Sequence, residues 1–491
     1  MSAHASRPSR PAVLLAIVGA AAGLAFPAAA QERFRRTPPL ADAQPHELSL
    51  PALQRVTLSN GLTIAAAYRP GFPLITLQLI IRAGEADSPP DLPAVASLTA
   101  RMIGRGTRLL SADYIENMLE GMGADFSVTV LMDYTVLTVH VLEESFERAL
   151  FALRQMALEP ALSERELVAV RREVFWELYD RKKDPEFLAW RQLLRTLFEG
   201  NPYRTATYAE DVIKHVTAKD VAAFYGRFYR PNNAALLVSG NIDGDTAVKK
   251  VAPHFSSWVP RPVERPPLPV PVPNGRDRVC FVADPTVTEA SIFAGNVVMD
   301  SSSEDFFPFL VLKQVLGGTT QSRLFMNLRE TKGFAYYAFS ETEFFRTCGV
   351  FWARARVTPE TIVPAIREIE REIKALSAAT ALPAEIEEAK SYLIGNLPAR
   401  FESIEGFAEW MARVVALDLD LGHWDRMPER LKLVNVERAA DTARKYLAAK
   451  PLVVIVGHPD WIELYLGEFE ALEVYDTMGE RVRSPGKGEP I

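Results

Sequence analysis

Histidine and cysteine carry much of the metal and nucleophile chemistry available to a protein, and this sequence uses both sparsely. Its seven histidines are His4, His46, His140, His215, His254, His423 and His458, and no two lie within five residues of each other. A hydrolytic zinc centre needs two imidazoles on one helical face, a further ligand and a carboxylate that takes a proton from bound water. These spacings contain no helical His pair. The two cysteines, Cys280 and Cys348, sit in the strand-like stretches RVCFVAD and RTCGVFWARA. Sequence leaves open whether they bridge or serve as small core hydrophobes. Gly317, Gly318 and Gly333 lack a following Lys-Ser or Lys-Thr and form no phosphate loop.

Any chemistry must therefore be positioned by elements spread along the 491 residues. The chain is 48% hydrophobic and 24% charged, as expected of a globular protein with two or three domains. A net charge of −7 argues against nucleic acid as the main partner. Residues 1–30 combine Arg7 and Arg10, an apolar run and a small-residue end, the pattern of a secretory signal cleaved after Ala30. The apolar run is short for a spanning helix. Cleavage removes two arginines and no acid, taking the charge from −7 to −9. The expected destination is the periplasm, and residues 31–47 read as a flexible N-terminal segment.

From there RVTLSNGLTIAAAY reads as a hairpin turning at Asn60-Gly61. LITLQLIIRAG is a strand, apolar on both faces at its centre. PAVASLTARMIG is helical, and so is SADYIENMLEGMG, with Ser111 as its N-cap. Residues 144–158 and 163–190 have helical periodicity. Residues 256–278 are dense in proline and read as an extended interdomain linker. The text on either side is similar: residues 144–178 and 359–397 both read helix, break, longer helix, and apolar strands follow in NAALLVSGN and PLVVIVGHP. The economical reading is two copies of one α+β domain, at 48–255 and 279–472, with a tail at 473–491.

The run LFEGNPYRTATYAEDVIKHVTAKDVAAFYGRFYRPNNAALLVSGNID, residues 197–243, resembles a segment of the pitrilysin-like (insulinase-type) zinc peptidases of the half-length, two-domain class. Gly200, Pro202, Tyr203, Tyr229, Pro231, Asn232 and Asn233 match, and Asn201 departs from the usual His. The resemblance spans nearly the whole chain after residue 30. It implies two homologous domains, each a mostly antiparallel sheet packed with helices. It also places SLTARMIGRGT, residues 97–107, over the family's His-x-x-Glu-His motif. Ser97 then stands for the first His, Ala100 for the catalytic Glu and Arg101 for the second His. Glu177 matches the third ligand, and Val170 sits where a supporting acid often lies. One ligand of three cannot hold zinc, so no metal and no catalytic residue are expected in this chain. Arg101 could instead supply the missing positive charge in an ion pair with Glu177; the alternative is that both face solvent.

In the second half, residues 316–343 resemble the family's substrate-binding segment, where an Arg and a Tyr seven positions apart face the catalytic cleft; Arg329 and Tyr336 match. A guanidinium and a phenol can donate to peptide carbonyls. Without the resemblance, the same residues read as a helix-end arginine and a core tyrosine. The resemblance thus implies a metal-free subunit of a heterodimeric zinc peptidase. Its partner would be a homologous chain bearing His-x-x-Glu-His, with zinc in that partner and an extended peptide as substrate. The other reading is an inert scaffold or peptide-binding protein of the same fold.

Overall fold

The computed structural model describes residues 53–206, 210–265, 268–269, 271, 278–378, 381–420, 426–469 and 472–483. The expected signal (1–30), the segment 31–47 and much of the Pro-rich stretch lie outside the described residues. The first sheet starts with the hairpin of β1 (Leu53–Thr57) and β2 (Thr63–Tyr68). Its loop needs a backbone only glycine adopts freely, and Gly61 has φ +87°. The Asn60 side chain accepts from Leu62 N–H and donates to the carbonyls of Phe255 and Trp258, tying the loop to the start of the Pro-rich stretch. β3 (Leu74–Ile81), β4 (Asp125–Val130), β5 (Thr135–Leu142) and β6 (Ala234–Gly240) complete the order β1-β2-β6-β3-β5-β4. Only the β2–β6 pair is parallel.

The second sheet contains β7 (Val279–Ala283), β8 (Ala290–Val298), β9 (Ala335–Phe344), β10 (Gly349–Val357), β11 (Leu452–Gly457), β12 (Leu472–Tyr475) and β13 (Arg481–Arg483). Their order is β13-β12-β7-β11-β8-β10-β9. The run β7-β11-β8-β10-β9 repeats β2-β6-β3-β5-β4 strand for strand, including the single parallel pair. The molecule is therefore α+β and internally duplicated. Residues 473–483 are not a tail: β12 pairs parallel with β7 and β13 closes a hairpin on it. Glu473 anchors this addition, accepting from Arg278 in a two-point ion pair and from the Tyr475 hydroxyl at 2.6 Å.

Helices α1 (Val95–Met102), α2 (Ala112–Glu120) and α3 (Phe146–Leu158) belong to the first half, and the Ser111 hydroxyl caps α2 by accepting from Tyr114 N–H. Periodic residues 163–190 form two helices, α4 (Glu164–Arg181) and α5 (Pro185–Leu197). Proline cannot continue a helix but suits its first position, and the Asp184 side chain caps α5 by accepting from Glu186 N–H at 3.0 Å. The break frees α5 to leave its own half. It packs on β8 and β11 of the second sheet, where Leu188, Leu193 and Leu194 join Val282, Phe293 and Val454 in one buried cluster. The reverse also occurs. The Ile404–Ala416 helix of the second half packs on β3 and β6, placing Phe407 and Met411 in the cluster that contains Ala65, Ala67 and Leu237. Each sheet thus has one face covered by its own helices and the other by a helix from the opposite half. This explains why β3 is buried along nearly its whole length. The described residues accordingly cluster as one compact unit. Cys280 and Cys348 are free, buried thiols within the α5 cluster.

Candidate functional site

α1 is rich in strong helix formers, and its Val95, Leu98, Ala100 and Met102 are buried. Ser97 and Arg101, four residues apart, share the flank that meets α4. In α4, Leu167, Val170 and Val174 form the buried stripe, so Val170 is a core residue at the position where the resemblance would place a supporting acid. Arg101 Nη2 lies 2.6 Å from Glu177 Oε2, and Arg105, just past α1, lies 2.5 Å from Glu173. The pairing of rising with falling numbers shows that the helices run antiparallel. The first pair is 35% and 45% exposed, so water screens it. Ala100 is fully buried and presents only a methyl group.

Ser97 has a partner that sequence reasoning missed. Its hydroxyl donates to Glu85, a buried carboxyl in the short helical turn after β3. Burial pushes the Glu85 carboxyl up to about 8, opposed by the Ser97 hydrogen bond and by the charge of Arg101. The one local sequence signal is Gly84. A Cβ there would lie 2.1 Å from the Leu131 carbonyl oxygen, so only glycine lets this turn sit against the β4–β5 loop.

Arg329 and Tyr336 come together. Arg329 lies in a widened helical turn (Met326–Thr331) in which Lys332 N–H reaches back five residues to the Asn327 carbonyl. Its guanidinium carbon sits 5.3 Å from the centre of the Tyr336 ring and 5.0 Å from that of Phe325. Its Nε is 3.6 Å from Glu330, with both side chains about half exposed. Tyr336 is 69% exposed, which rules out a core role. It belongs to β9, an edge strand of the second sheet. The contacts of Arg329 and Tyr336 are with these neighbours, not with Arg101 or Glu177.

The two constellations meet indirectly at the first turn of α5. Glu186 accepts from the Tyr337 hydroxyl and pairs with Arg354 at 2.7 Å and Arg356 at 3.7 Å. The adjacent Phe187 lines a cavity of about 120 Å³ that also contains Glu85, Ser97, Arg101 and Glu177. Zinc does not fit this cavity's donor set. The Ser97 hydroxyl is engaged by Glu85, Ala100 offers no donor atom, and a guanidinium has no lone pair to share, so only the carboxyls of Glu177 and Glu85 remain, and burial holds the second towards its neutral form. Among the described residues, no three His, Cys, Asp or Glu side chains are grouped to hold a metal. No helix among them is long and apolar enough to cross a membrane.

Residues 63–211 match the family model for insulinase (peptidase family M16), and residues 215–393 match that for the peptidase M16 inactive domain. An uncharacterized zinc protease of Streptomyces coelicolor is 24% identical over 420 residues, covering 84% of this chain and 91% of that protein. One from Mycobacterium bovis is 25% identical over 414 residues, covering 83% and 93%. The fold matches the crystal structure of a peptidase M16 inactive domain from Pseudomonas fluorescens, with a TM-score of 0.76, 20% identity, and coverage of 83% of this chain and 98% of that one. A protease from Helicobacter pylori gives 0.76, 21%, 83% and 100%.

Proposed function

Because this chain belongs to the insulinase (M16) peptidase family and lacks its catalytic metal motif, we propose that it is the metal-free, substrate-binding subunit of a periplasmic, heterodimeric zinc metalloendopeptidase. The observation that carries this reading is the pairing of Arg329 with Tyr336, stacked and exposed on an edge strand. In the same chain Ser97, Ala100 and Arg101 have replaced the metal motif. A homologous subunit bearing His-x-x-Glu-His holds the zinc, which polarises the scissile carbonyl and its attacking water. Arg329 and Tyr336 hold main-chain carbonyls of an extended peptide. The free edge of β9 supplies further backbone hydrogen bonds, a mode that reads main chain more than side chains. An inert scaffold of the same fold would gain nothing from an exposed Arg–Tyr stack.

The test compares cleavage of an unstructured peptide by the mature chain alone, by the zinc-bearing homologue alone, and by their mixture. Activity is expected in the mixture. Arg329→Ala removes a charged hydrogen bond of about 1.5–3 kcal/mol, so kcat/KM should fall roughly tenfold or more. Activity in the solitary chain, or a mixture no more active than the homologue alone, overturns the proposal; an inert mixture favours the scaffold reading.

A further inference from the structure

The cavity between α1, α4 and α5 has lost its donor set for a metal, yet it is not closed. It holds about 120 Å³, several times the ~30 Å³ share of one water molecule. Its lining is mixed: Val128 and Val130 from β4, Val174 and Leu178 from α4, and Phe187 from α5 supply an apolar side, and the rest of the lining is polar or charged. Two guanidiniums face into these walls, and neither is saturated. Arg101 spends one N–H on Glu177. The Arg181 guanidinium carbon sits 4.4 Å from the centre of the Phe187 ring, and Arg181 has no carboxylate partner among the described residues. Against these two positive charges stand Glu177 and Glu85. The Glu85 carboxyl, pushed up to about 8 by burial, is largely protonated at neutral pH and adds little negative charge. The cavity therefore carries a net positive charge of about one, which repels cations and amines.

The geometry points to a binding site for a carboxylate on a short aliphatic stem, held by Arg101 and Arg181 with the stem against the valines and Phe187. Arginine forks suit a carboxylate because two parallel N–H groups match its two oxygens. The valines, Leu178 and Phe187 offer an aliphatic stem an apolar surface beside the two guanidiniums. Two sources share this chemistry: the free C-terminus of a peptide ending in an aliphatic residue, and a small free aliphatic acid. The site depends on neither a partner subunit nor the Arg329–Tyr336 pair, so it stands or falls separately from the proposed peptidase role.

Titration of the mature chain alone, followed by calorimetry, tests it with three probes: N-acetyl-Ala-Val, its C-terminal amide, and butyrate. Saturable binding of either free acid is expected, with the amide at least about tenfold weaker. Binding by the dipeptide identifies a peptide C-terminus, and binding by butyrate alone identifies a small acid. Arg181→Ala should weaken binding by about tenfold or more. Among the described residues Arg181 loses only its contact with the Phe187 ring, so the thermal midpoint of that variant should stay close to the parent's and the variant should remain folded, which separates lost binding from lost folding. Equal binding of acid and amide, no saturation by either acid at millimolar concentration, or unchanged binding in a folded Arg181→Ala variant each overturns the assignment.

Discussion

A guanidinium cannot ligate a metal, but at position 101 it keeps a positive charge opposite Glu177. That charge does little for stability, because both partners are more than a third exposed. A double-mutant cycle of Arg101→Ala and Glu177→Ala should give a coupling below about 1 kcal/mol; several kcal/mol would mean that water is excluded from the pair. Glu85 is the more consequential residue. Its folded-state carboxyl is raised from 4.5 to about 8, so the fold binds its proton more tightly than the unfolded chain does. The stability it contributes is complete below pH 4.5 and is lost as pH rises towards 8. Glu85→Gln is neutral at every pH and can still accept from Ser97. Urea unfolding of parent and variant should therefore show the parent losing stability relative to Glu85→Gln across that window. Parallel pH profiles would show that Glu85 titrates as it does in the unfolded chain.

At the scale of elements, the break between α4 and α5 decides what each helix does. α4 carries Glu173 and Glu177 to α1, and α5 crosses to the second sheet. The crossing starts with the Asp184 cap and Pro185 at the first helical position. Asp184→Ala should cost about 1 kcal/mol in denaturant unfolding, and no change would mean that packing alone holds the first turn. The same turn is the wall shared by the two constellations, with Glu186 facing the second sheet and Phe187 facing the cavity. A shift at this cap would therefore disturb the cavity and the base of β9 together.

At the scale of the whole molecule, exchange of one helix in each direction turns two similar halves into one folding unit. Phe407 is fully buried in the core that the Ile404–Ala416 helix shares with the first sheet. Phe407→Ala should cost about 3–5 kcal/mol. Far-ultraviolet dichroism and tryptophan fluorescence should still report a single transition, because neither sheet keeps its second cover if the other half melts. Two separated transitions in this variant would show that the halves fold independently. Interlocking of this kind also opposes any hinge at the Pro-rich stretch. Arg265, near its start, is further pinned by an ion pair with the buried Asp87 at 2.7 Å.

The sequence by itself determined what depends on neighbours within a turn or two. The Asn60-Gly61 hairpin follows from a backbone conformation that glycine tolerates, and the α2 cap follows from a serine hydroxyl three residues before an unpaired N–H. The duplication was legible because each copy repeats the same periodicities. The absence of a His-x-x-Glu-His motif was legible directly from the residue types at 97, 100 and 101. Tertiary structure alone decided what depends on distant chain segments meeting. The Arg101–Glu177 pair spans 76 positions, and the contact of Tyr337 with Glu186 spans 151. Glu85 is buried where its turn meets α1 and the β4–β5 loop, segments that no local pattern brings together. β12 and β13 are too short for periodicity to reveal, and they exist because the edge of β7 was free to pair. The helix exchange was equally hidden: an apolar face shows that something must cover it, and only the folded chain shows which helix does.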